Sequence, residues 1–172
     1  MLEKKWYAAY TRPRAEKKVY ERLIRQGFET YLPIQHVRRK WSDRYKWVDV
    51  PLLPSYIFLK LSSKEYANAI KTEGLVRYVT LTGKPTPIPE AQINNLKILL
   101  NEKDADVEIE LTKENFKPGT PVVIKYGAFA GIEGEVVEYR GGKRLLLRLD
   151  NIGQSVTVTL PVNLIEADNQ NK

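Results

Sequence analysis

The sequence predicts an α+β protein: an N-terminal antiparallel sheet flanked by helices, an acidic linker and a small C-terminal five-stranded β-barrel. Three observations support this prediction. Strand-like and helix-like segments alternate over the first hundred residues, acidic residues dominate 102–115, and short strands separated by glycines fill the last ~50 residues. We therefore predict domains at 1–101 and 116–168, a linker at 102–115 and a tail at 169–172.

The composition narrows the class of protein. The 172 residues are 42% hydrophobic and include no Cys and one His, His36. Disulfides, thiolate zinc sites and histidine clusters are therefore excluded. Without paired carboxylates or a phosphate-binding glycine loop, we expect neither an enzyme nor a cofactor. No run approaches the ~20 apolar residues of a membrane span, so we expect a cytoplasmic protein without a membrane partner.

The positive charge is concentrated at one end of the chain. Residues 1–50 hold 13 Lys and Arg against 6 Asp and Glu, which equals the whole net charge of +7. Such a concentration favours a polyanionic partner, nucleic acid before a membrane surface. A merely solvated surface is the alternative, which charge alone does not exclude.

The first strand and helix follow directly. Trp6-Tyr7-Ala8-Ala9-Tyr10 is typical of a strand, and Pro13 opens a helix that ends near Gln26 because Gly27 follows. The predicted core face of this helix carries Ala15, Val19, Leu23 and Ile24. The opposite face carries a basic stripe of Arg14, Lys18, Arg22 and Arg25.

A polar and aromatic hairpin comes next. The segment Arg38 to Trp47 interleaves basic residues with Trp and Tyr, and its tip lies near Ser42-Asp43. Such a segment can bind phosphates and stack on bases, or it can be the exposed tip of a sheet.

The strand ending at Leu61 organises this domain. Two prolines, Pro51 and Pro54, precede it, which suits an edge strand or the start of a strand. Its aliphatic residues alternate with Tyr56 and Phe58, which therefore share the second face. That face is either buried by more of the chain or left open for a partner, and the pattern alone leaves both alternatives open.

The rest of the first domain is predicted from caps and turns. Ser62 and Glu65 form a capping box for a helix that ends before Gly74. A strand at Leu75–Leu81, a turn-rich connection and a helix at Pro89–Asn101 complete it. The apolar residues expected to face inward are Tyr66, Ala69 and Ile70, then Ile93, Leu96 and Leu100.

The last domain consists of short strands. They are expected at Val122–Ile124, Glu135–Tyr139, Leu145–Leu147 and Val156–Leu160. Glycines at 127, 131 and 134 mark tight turns, and Gly141-Gly142 is a hairpin turn signal. Strands this short bury a core by curling into a small barrel.

Two stretches resemble known motifs. The glycine pattern at 127–134 resembles the KOW motif of transcription factors and ribosomal proteins. Leu53-Pro54-Ser55-Tyr56-Ile57-Phe58 resembles the Phe-Pro-Gly-Tyr-Val-x-Val signature of the N-terminal domain of the NusG family. Trp6-Tyr7, the Pro85–Pro89 segment and a closing KOW barrel fall in the family's order, so the resemblance spans nearly the whole chain.

The resemblance implies a partner for the second face of the signature strand. Members of the family bind the clamp helices of the largest RNA polymerase subunit through a hydrophobic depression beneath this signature. Tyr56 and Phe58 would then be the clamp anchors, with Leu53 and Pro54 at the pocket rim. We expect the factor to act as a monomer.

Ser55 departs from the family signature. It replaces the glycine of the general factor, as Asn does in specialised paralogues of the RfaH type. Aligned with such paralogues, the positions that present polar residues to the non-template DNA strand hold Arg12, Arg22, Arg25 and Gln26 here, and a nascent RNA hairpin is the alternative ligand. The resemblance and the basic stripes together give the candidate nucleic-acid-binding residues Arg12, Arg14, Lys18, Arg22, Arg25, Gln26, Arg38, Arg39 and Lys40.

The barrel has a candidate site of its own. Phe129-Ala130-Gly131-Ile132 matches the loop with which NusG-type barrels bind a small-subunit ribosomal protein, and termination factor Rho is another candidate partner. Alternatively, Phe129 and Ile132 only plug the barrel end. RfaH-type factors can refold this domain into a helical hairpin, but the β-branched residues and glycines here favour a stable barrel.

Two functions follow. The first is an elongation factor that binds the clamp and suppresses pausing and termination, as an operon-specific antiterminator or as a general NusG-type factor. The second is a ribosome-associated or RNA-binding KOW protein, whose binding would depend on the basic hairpin and fall steeply with salt.

Overall fold

The computed structural model describes residues 2–101, 107–125 and 127–159. The chain divides into two compact units, Met1–Pro89 and Glu90–Lys172. The first unit contains β1 (Lys5–Thr11), α1 (Glu16–Arg25), β2 (Glu29–Tyr31), β3 (Ile34–Trp41), β4 (Arg44–Pro51), β5 (Tyr56–Leu61), α2 (Ser63–Ala69), β6 (Leu75–Tyr78), β7 (Thr80–Leu81) and β8 (Lys84–Pro85). The second contains α3 (Glu90–Asn101), β9 (Ile109–Thr112), β10 (Thr120–Val123), β11 (Glu133–Tyr139), β12 (Gly142–Leu149) and β13 (Gln154–Val158).

The main sheet of the first unit has four antiparallel strands in the order β2-β5-β1-β6. The signature strand β5 therefore lies between β1 and β2, so of the two alternatives the edge strand is wrong and the strand start agrees with the structure. The prolines that suggested an edge precede the strand: Pro51 ends β4 and Pro54 lies in the turn before Tyr56. Neither removes a donor from β5 itself.

One face of this sheet packs against α1. Val19 and Leu23 of the helix are fully buried with Ile57 and Leu59 of β5. The predicted helix begins later than expected, at Glu16 instead of Pro13, because Arg14 adopts a positive φ of 61°. Its end is confirmed, since Gly27 follows with a φ of 85°.

The capping box before α2 is also confirmed. The Glu65 carboxylate accepts hydrogen bonds from the backbone N–H and the hydroxyl of Ser62, both at 2.9 Å. Lys4 forms an ion pair with the same carboxylate at 2.8 Å. These contacts lower the pKa of Glu65 to about 2, the hydrogen bond from Lys4 having the largest effect.

Strands β3 and β4 form a separate two-stranded hairpin. The register pairs Ile34 with Pro51 at its base and Trp41 with Arg44 at its tip. This hairpin is called the arm below. Its tip lies at Ser42-Asp43, as the sequence predicts.

The second unit contains a five-stranded antiparallel sheet in the order β10-β11-β12-β13-β9. The outer strand β9 comes from the segment predicted as a linker at 102–115, and the prediction is wrong for 109–112. Apolar Ile109 and Leu111 alternate with Glu110 there and pair with β13, so the acidic composition concealed a strand. Residues 102–106 and the tail at 169–172 lie outside the described residues.

Helix α3 belongs to the second unit, although the sequence placed it in a first domain ending at residue 101. The side chain of Asn95, which is buried, donates to the carbonyl of Glu133 at 2.7 Å and accepts from its N–H at 3.0 Å. The inward face of α3 carries Ile93 and Leu96, as predicted, and Leu99 in place of Leu100. A paired amide contact of this kind depends on the fold and cannot be identified from helical periodicity.

Candidate functional surfaces

The turn into β5 has an unusual backbone. Ser55 adopts a positive φ of 65°, a conformation that favours glycine, and its position is the one that glycine holds in the signature it resembles. The Ser55 N–H donates to the carboxylate of Glu16 at 2.8 Å, and its carbonyl accepts from Thr11 N–H at 2.9 Å. Glu16 is almost fully buried at the first turn of α1. The helix and the adjacent strand therefore hold this turn in place.

Beyond this turn, aromatic side chains cover the second face of the sheet. Tyr56 lies opposite Tyr10 of β1 with ring centroids 5.0 Å apart, and the Arg77 guanidinium lies 4.9 Å from the Tyr10 ring. Both tyrosines are partly exposed. Tyr10, Tyr56 and Arg77 are called the tyrosine patch below.

The predicted anchors do not all reach the surface. Phe58 and Leu53 are 0% exposed, so the expectation that Phe58 is left open for a partner is wrong. Phe58 lies opposite Tyr31 of β2, with ring centroids 6.3 Å apart. Burial raises the pKa of Tyr31. Residues of the strands on both sides lie directly opposite Phe58, and only Tyr56 and Pro54 of the predicted four are accessible.

The basic stripe on α1 is partly engaged in contacts. Lys18 and Arg25 are exposed, as are Arg12 and Arg14 in the preceding loop. Arg22, however, donates to the carbonyl of Glu73 at 3.0 Å and pairs with its carboxylate at 3.4 Å. Arg22, Arg25 and Gln26 together line a surface depression.

The arm is the most exposed aromatic element of the described residues. Trp41 and Trp47 are each 56% exposed and Tyr45 is 58% exposed. The predicted basic residues Arg38, Arg39 and Lys40 are exposed along β3. Basic and aromatic groups therefore interleave in space as they do in sequence.

The loop between Ile124 and Ile132, called the glycine loop below, is closed by backbone hydrogen bonds. Ile124 N–H donates to Ile132 at 2.9 Å, and Gly131 N–H donates to Ile124 at 2.8 Å. Phe129 and Ile132 are buried, whereas Ala130 and Gly131 are exposed. This burial favours the alternative in which the two apolar residues fill the end of the sheet. Tyr126, in the same glycine pattern, lies outside the described residues.

The described part of the chain has neither a metal-binding cluster nor a membrane-spanning helix. No group of three or more His, Cys, Asp or Glu side chains there could hold a metal ion. None of the described helices has the length and apolarity that crossing a bilayer requires.

Sequence reasoning missed several of these residues. Tyr10 and Arg77 join Tyr56 only through the register of β1 with its two neighbours, which has no local signal. The role of Glu16 likewise depends on a contact with a residue 39 positions away. The aromatic residues of the arm were recognisable, because Tyr45 and Trp47 alternate with basic residues.

The chain is similar to known proteins of one family. Residues 4–97 match the family model described as "Transcription termination factor nusG". The chain is 26% identical to the transcription termination/antitermination protein NusG of Borreliella burgdorferi, over 96% of this chain and 99% of that protein. It is 27% identical to the protein of the same name from Streptococcus pyogenes, over 86% and 88% of the two chains.

A solved structure shares the fold. The structure entitled "Domain interaction in Thermotoga maritima NusG" matches with a TM-score of 0.52 and 21% identity, and the match covers 94% of this chain and 95% of that one. Because the family model covers more than half of the chain, the chain belongs to the NusG family of transcription termination and antitermination factors.

Proposed function

We propose that this chain binds the clamp helices of RNA polymerase through the tyrosine patch and acts as an operon-specific antiterminator. The observation that carries the proposal is the position of Tyr10 on the second face of the sheet, where its ring contacts both Tyr56 and Arg77 beside the signature turn. Tyr and Arg are enriched in the residues that dominate binding energy at interfaces. Each of the three contacts a neighbour, so little side-chain freedom remains to be lost on binding.

The four signature residues then have two roles. Tyr56 and Pro54 contact the partner, because they are the accessible members of the set. Leu53 and Phe58 are fully buried, so their role is in packing and not in contact with the partner. The polymerase would be held in its elongating conformation by differential binding, with no chemistry in the factor.

The specialised role is supported by Ser55. A serine with a φ of 65° stands where the general factor has glycine, and the strain is tolerated because Glu16 and Thr11 fix the turn. The exposed cations Arg12, Arg14, Lys18 and Arg25 would contact the non-template strand or an RNA hairpin. Contacts of the glycine loop with a ribosomal protein or Rho are the remaining part of the proposal.

A gel-shift of a scaffolded bacterial elongation complex tests the clamp contact. Removing one aromatic anchor typically costs about 2–4 kcal/mol, so Tyr56→Ala should weaken binding by about 30- to 1,000-fold. Leu81→Ala, which truncates an exposed side chain outside the patch, should bind like the wild type. Thermal melting of Tyr56→Ala checks that the variant folds.

The same assay, together with binding to naked RNA, distinguishes the proposed function from the RNA-binding alternative. If the wild type does not shift the complex while it and Tyr56→Ala bind naked RNA equally, the proposal fails and the RNA-binding alternative replaces it. If the wild type binds, the fraction of transcripts that pass a terminator on the cognate operon, against an unrelated operon, tests the operon-specific role.

A further inference from the structure

The two faces of the arm carry different chemistry. Residues paired across an antiparallel hairpin share a face, and faces alternate along each strand. The register therefore places His36, Arg38, Lys40, Tyr45 and Trp47 on one face, which we call the stacking face. The other face carries Arg39, Trp41, Arg44 and Lys46 near the tip.

Planar groups on the stacking face are already ordered. The His36 and Trp47 rings are stacked with centroids 4.9 Å apart and an interplanar angle of 2°. His36 is held in turn by Asp49, whose carboxylate lies 2.6 Å from Nδ1. Further toward the tip, the Arg38 guanidinium lies 4.3 Å from the centre of the Tyr45 ring. Two exposed aromatic rings on the stacking face, Trp47 and Tyr45, are therefore each held by a planar neighbour.

The spacing of these rings suits a polynucleotide. Tyr45 and Trp47 are two residues apart on one strand, a separation of about 6.8 Å, so the two rings lie side by side where nearby bases of one unpaired strand can reach both. The segment 38–47 contains five Lys and Arg residues and one Asp, so its charge is complementary to phosphates. Aromatic platforms beside cations are how proteins bind single strands without reading sequence.

We propose that the stacking face binds an unpaired nucleic-acid strand, with bases on Trp47 and Tyr45 and phosphates on Arg38 and Lys40. A duplex hides the faces of its bases in its own stack, so it could use only the cations. The proposal deepens the proposed function. That the bound strand belongs to a transcribing complex rests on that function. It does not require a polymerase for the binding step itself.

The chain supplies its own matched control. Trp41 has the same 56% exposure as Trp47, but it lies on the opposite face with Lys46 near its ring and no aromatic cross-strand neighbour. Trp47→Ala and Trp41→Ala therefore remove the same exposed group from the two faces. Trp47→Phe retains a ring on the stacking face.

The test is fluorescence anisotropy of the full chain with labelled 12-nucleotide dT and U strands and a 12-base-pair duplex. Trp47→Ala should weaken binding of at least one single strand by about 5- to 150-fold, and Trp47→Phe should recover most of the loss. Trp41→Ala should stay within about threefold of the wild type. Duplex binding should change little in all three variants. The dT and U strands together show whether the site binds DNA, RNA or both.

Two results would overturn the inference: equal losses for Trp41→Ala and Trp47→Ala, or tighter binding of the duplex than of both single strands. Because the oligonucleotides contain no polymerase, neither result bears on the clamp contact. Failure of that contact is shown separately by Tyr56→Ala in the elongation complex.

Discussion

Strands β4 and β5 carry the same local pattern with opposite outcomes. In β4 the aromatic residues Tyr45 and Trp47 are separated by one residue, and so are Tyr56 and Phe58 in β5. Yet Trp47 is 56% exposed and Phe58 is 0% exposed. The aromatic alternation is therefore not what determines burial.

The neighbours of each strand explain the difference. β5 has a hydrogen-bonded strand on both sides, whereas β4 pairs with β3 in a two-stranded hairpin. The residue between the aromatics also differs, since Ile57 separates the pair in β5 and Lys46 separates the pair in β4. An apolar residue between two aromatics makes both faces of a strand hydrophobic and favours a central position.

The largest expected effect is on stability. Phe58→Ala removes a fully buried ring and should lower the free energy of unfolding by about 3–5 kcal/mol. Trp47→Ala removes an exposed ring whose main contact is His36, so it should cost less than about 1 kcal/mol. Urea unfolding of both variants checks the difference. Similar losses would mean that the arm is as much a part of the core as β5.

A second comparison concerns carboxylates. Glu16→Ala should cost about 1–3 kcal/mol, because it leaves the Ser55 N–H without its acceptor at a buried turn. Glu16→Gln retains an acceptor oxygen and should cost less. In the arm, Asp49→Ala removes an exposed contact with His36 and should cost less than about 1 kcal/mol. Chemical denaturation measures all three, and a loss for Asp49→Ala equal to that for Glu16→Ala would contradict the assignment of Glu16.

Glycine substitutions compare the two turns. Ser55→Gly should stabilise the protein by about 0.5–1 kcal/mol, since relief of the left-handed strain exceeds the added entropy of the unfolded chain. Ser42→Gly at the tip of the arm should give no gain, because the φ of Ser42 is not positive and there is no left-handed strain to relieve. Melting temperatures of the two variants give the answer. A gain at both positions would point to a general effect of glycine in turns.

The smallest effect is on the acid stability of the helix that follows β5. The pKa of Glu65 falls from its ordinary value of 4.5 to about 2 in the folded protein, so its contribution is complete above pH 4.5. That contribution is lost as the pH falls through about 2. Because the side chains of Lys4 and Glu65 are 40% and 27% exposed, it should not exceed about 1 kcal/mol.

Substitution by glutamine isolates this carboxylate. Glu65→Gln should flatten part of the dependence of unfolding free energy on pH between about 5 and 2. Glu3→Gln, which removes an exposed partner of Lys5, should retain it. An unchanged profile in Glu65→Gln would show that Glu65 is not stabilised in the folded state.

The sequence predicts single helices, turns and hairpins better than it predicts which distant strands pair with one another. The end of α1 at Gly27, the Ser62–Glu65 cap and the arm were all predicted, because each depends on residues close in sequence. The central position of β5 and the strand β9 were missed, because both depend on pairing with distant strands. Among the candidate site residues, exposure was predicted correctly where charge decides it, as in Arg38 to Lys40, and wrongly for Phe58.

The most direct measurement compares two elongation complexes. One contains the unpaired non-template strand, and the other lacks it but is otherwise identical. Dissociation constants are measured for the wild type, Tyr56→Ala and Trp47→Ala on each complex. Tyr56→Ala should bind weakly to both, whereas Trp47→Ala should lose only the affinity that the unpaired strand adds. If Trp47→Ala retains this added affinity and Tyr56→Ala binds like the wild type, the division between a polymerase-binding sheet and a strand-binding arm is contradicted.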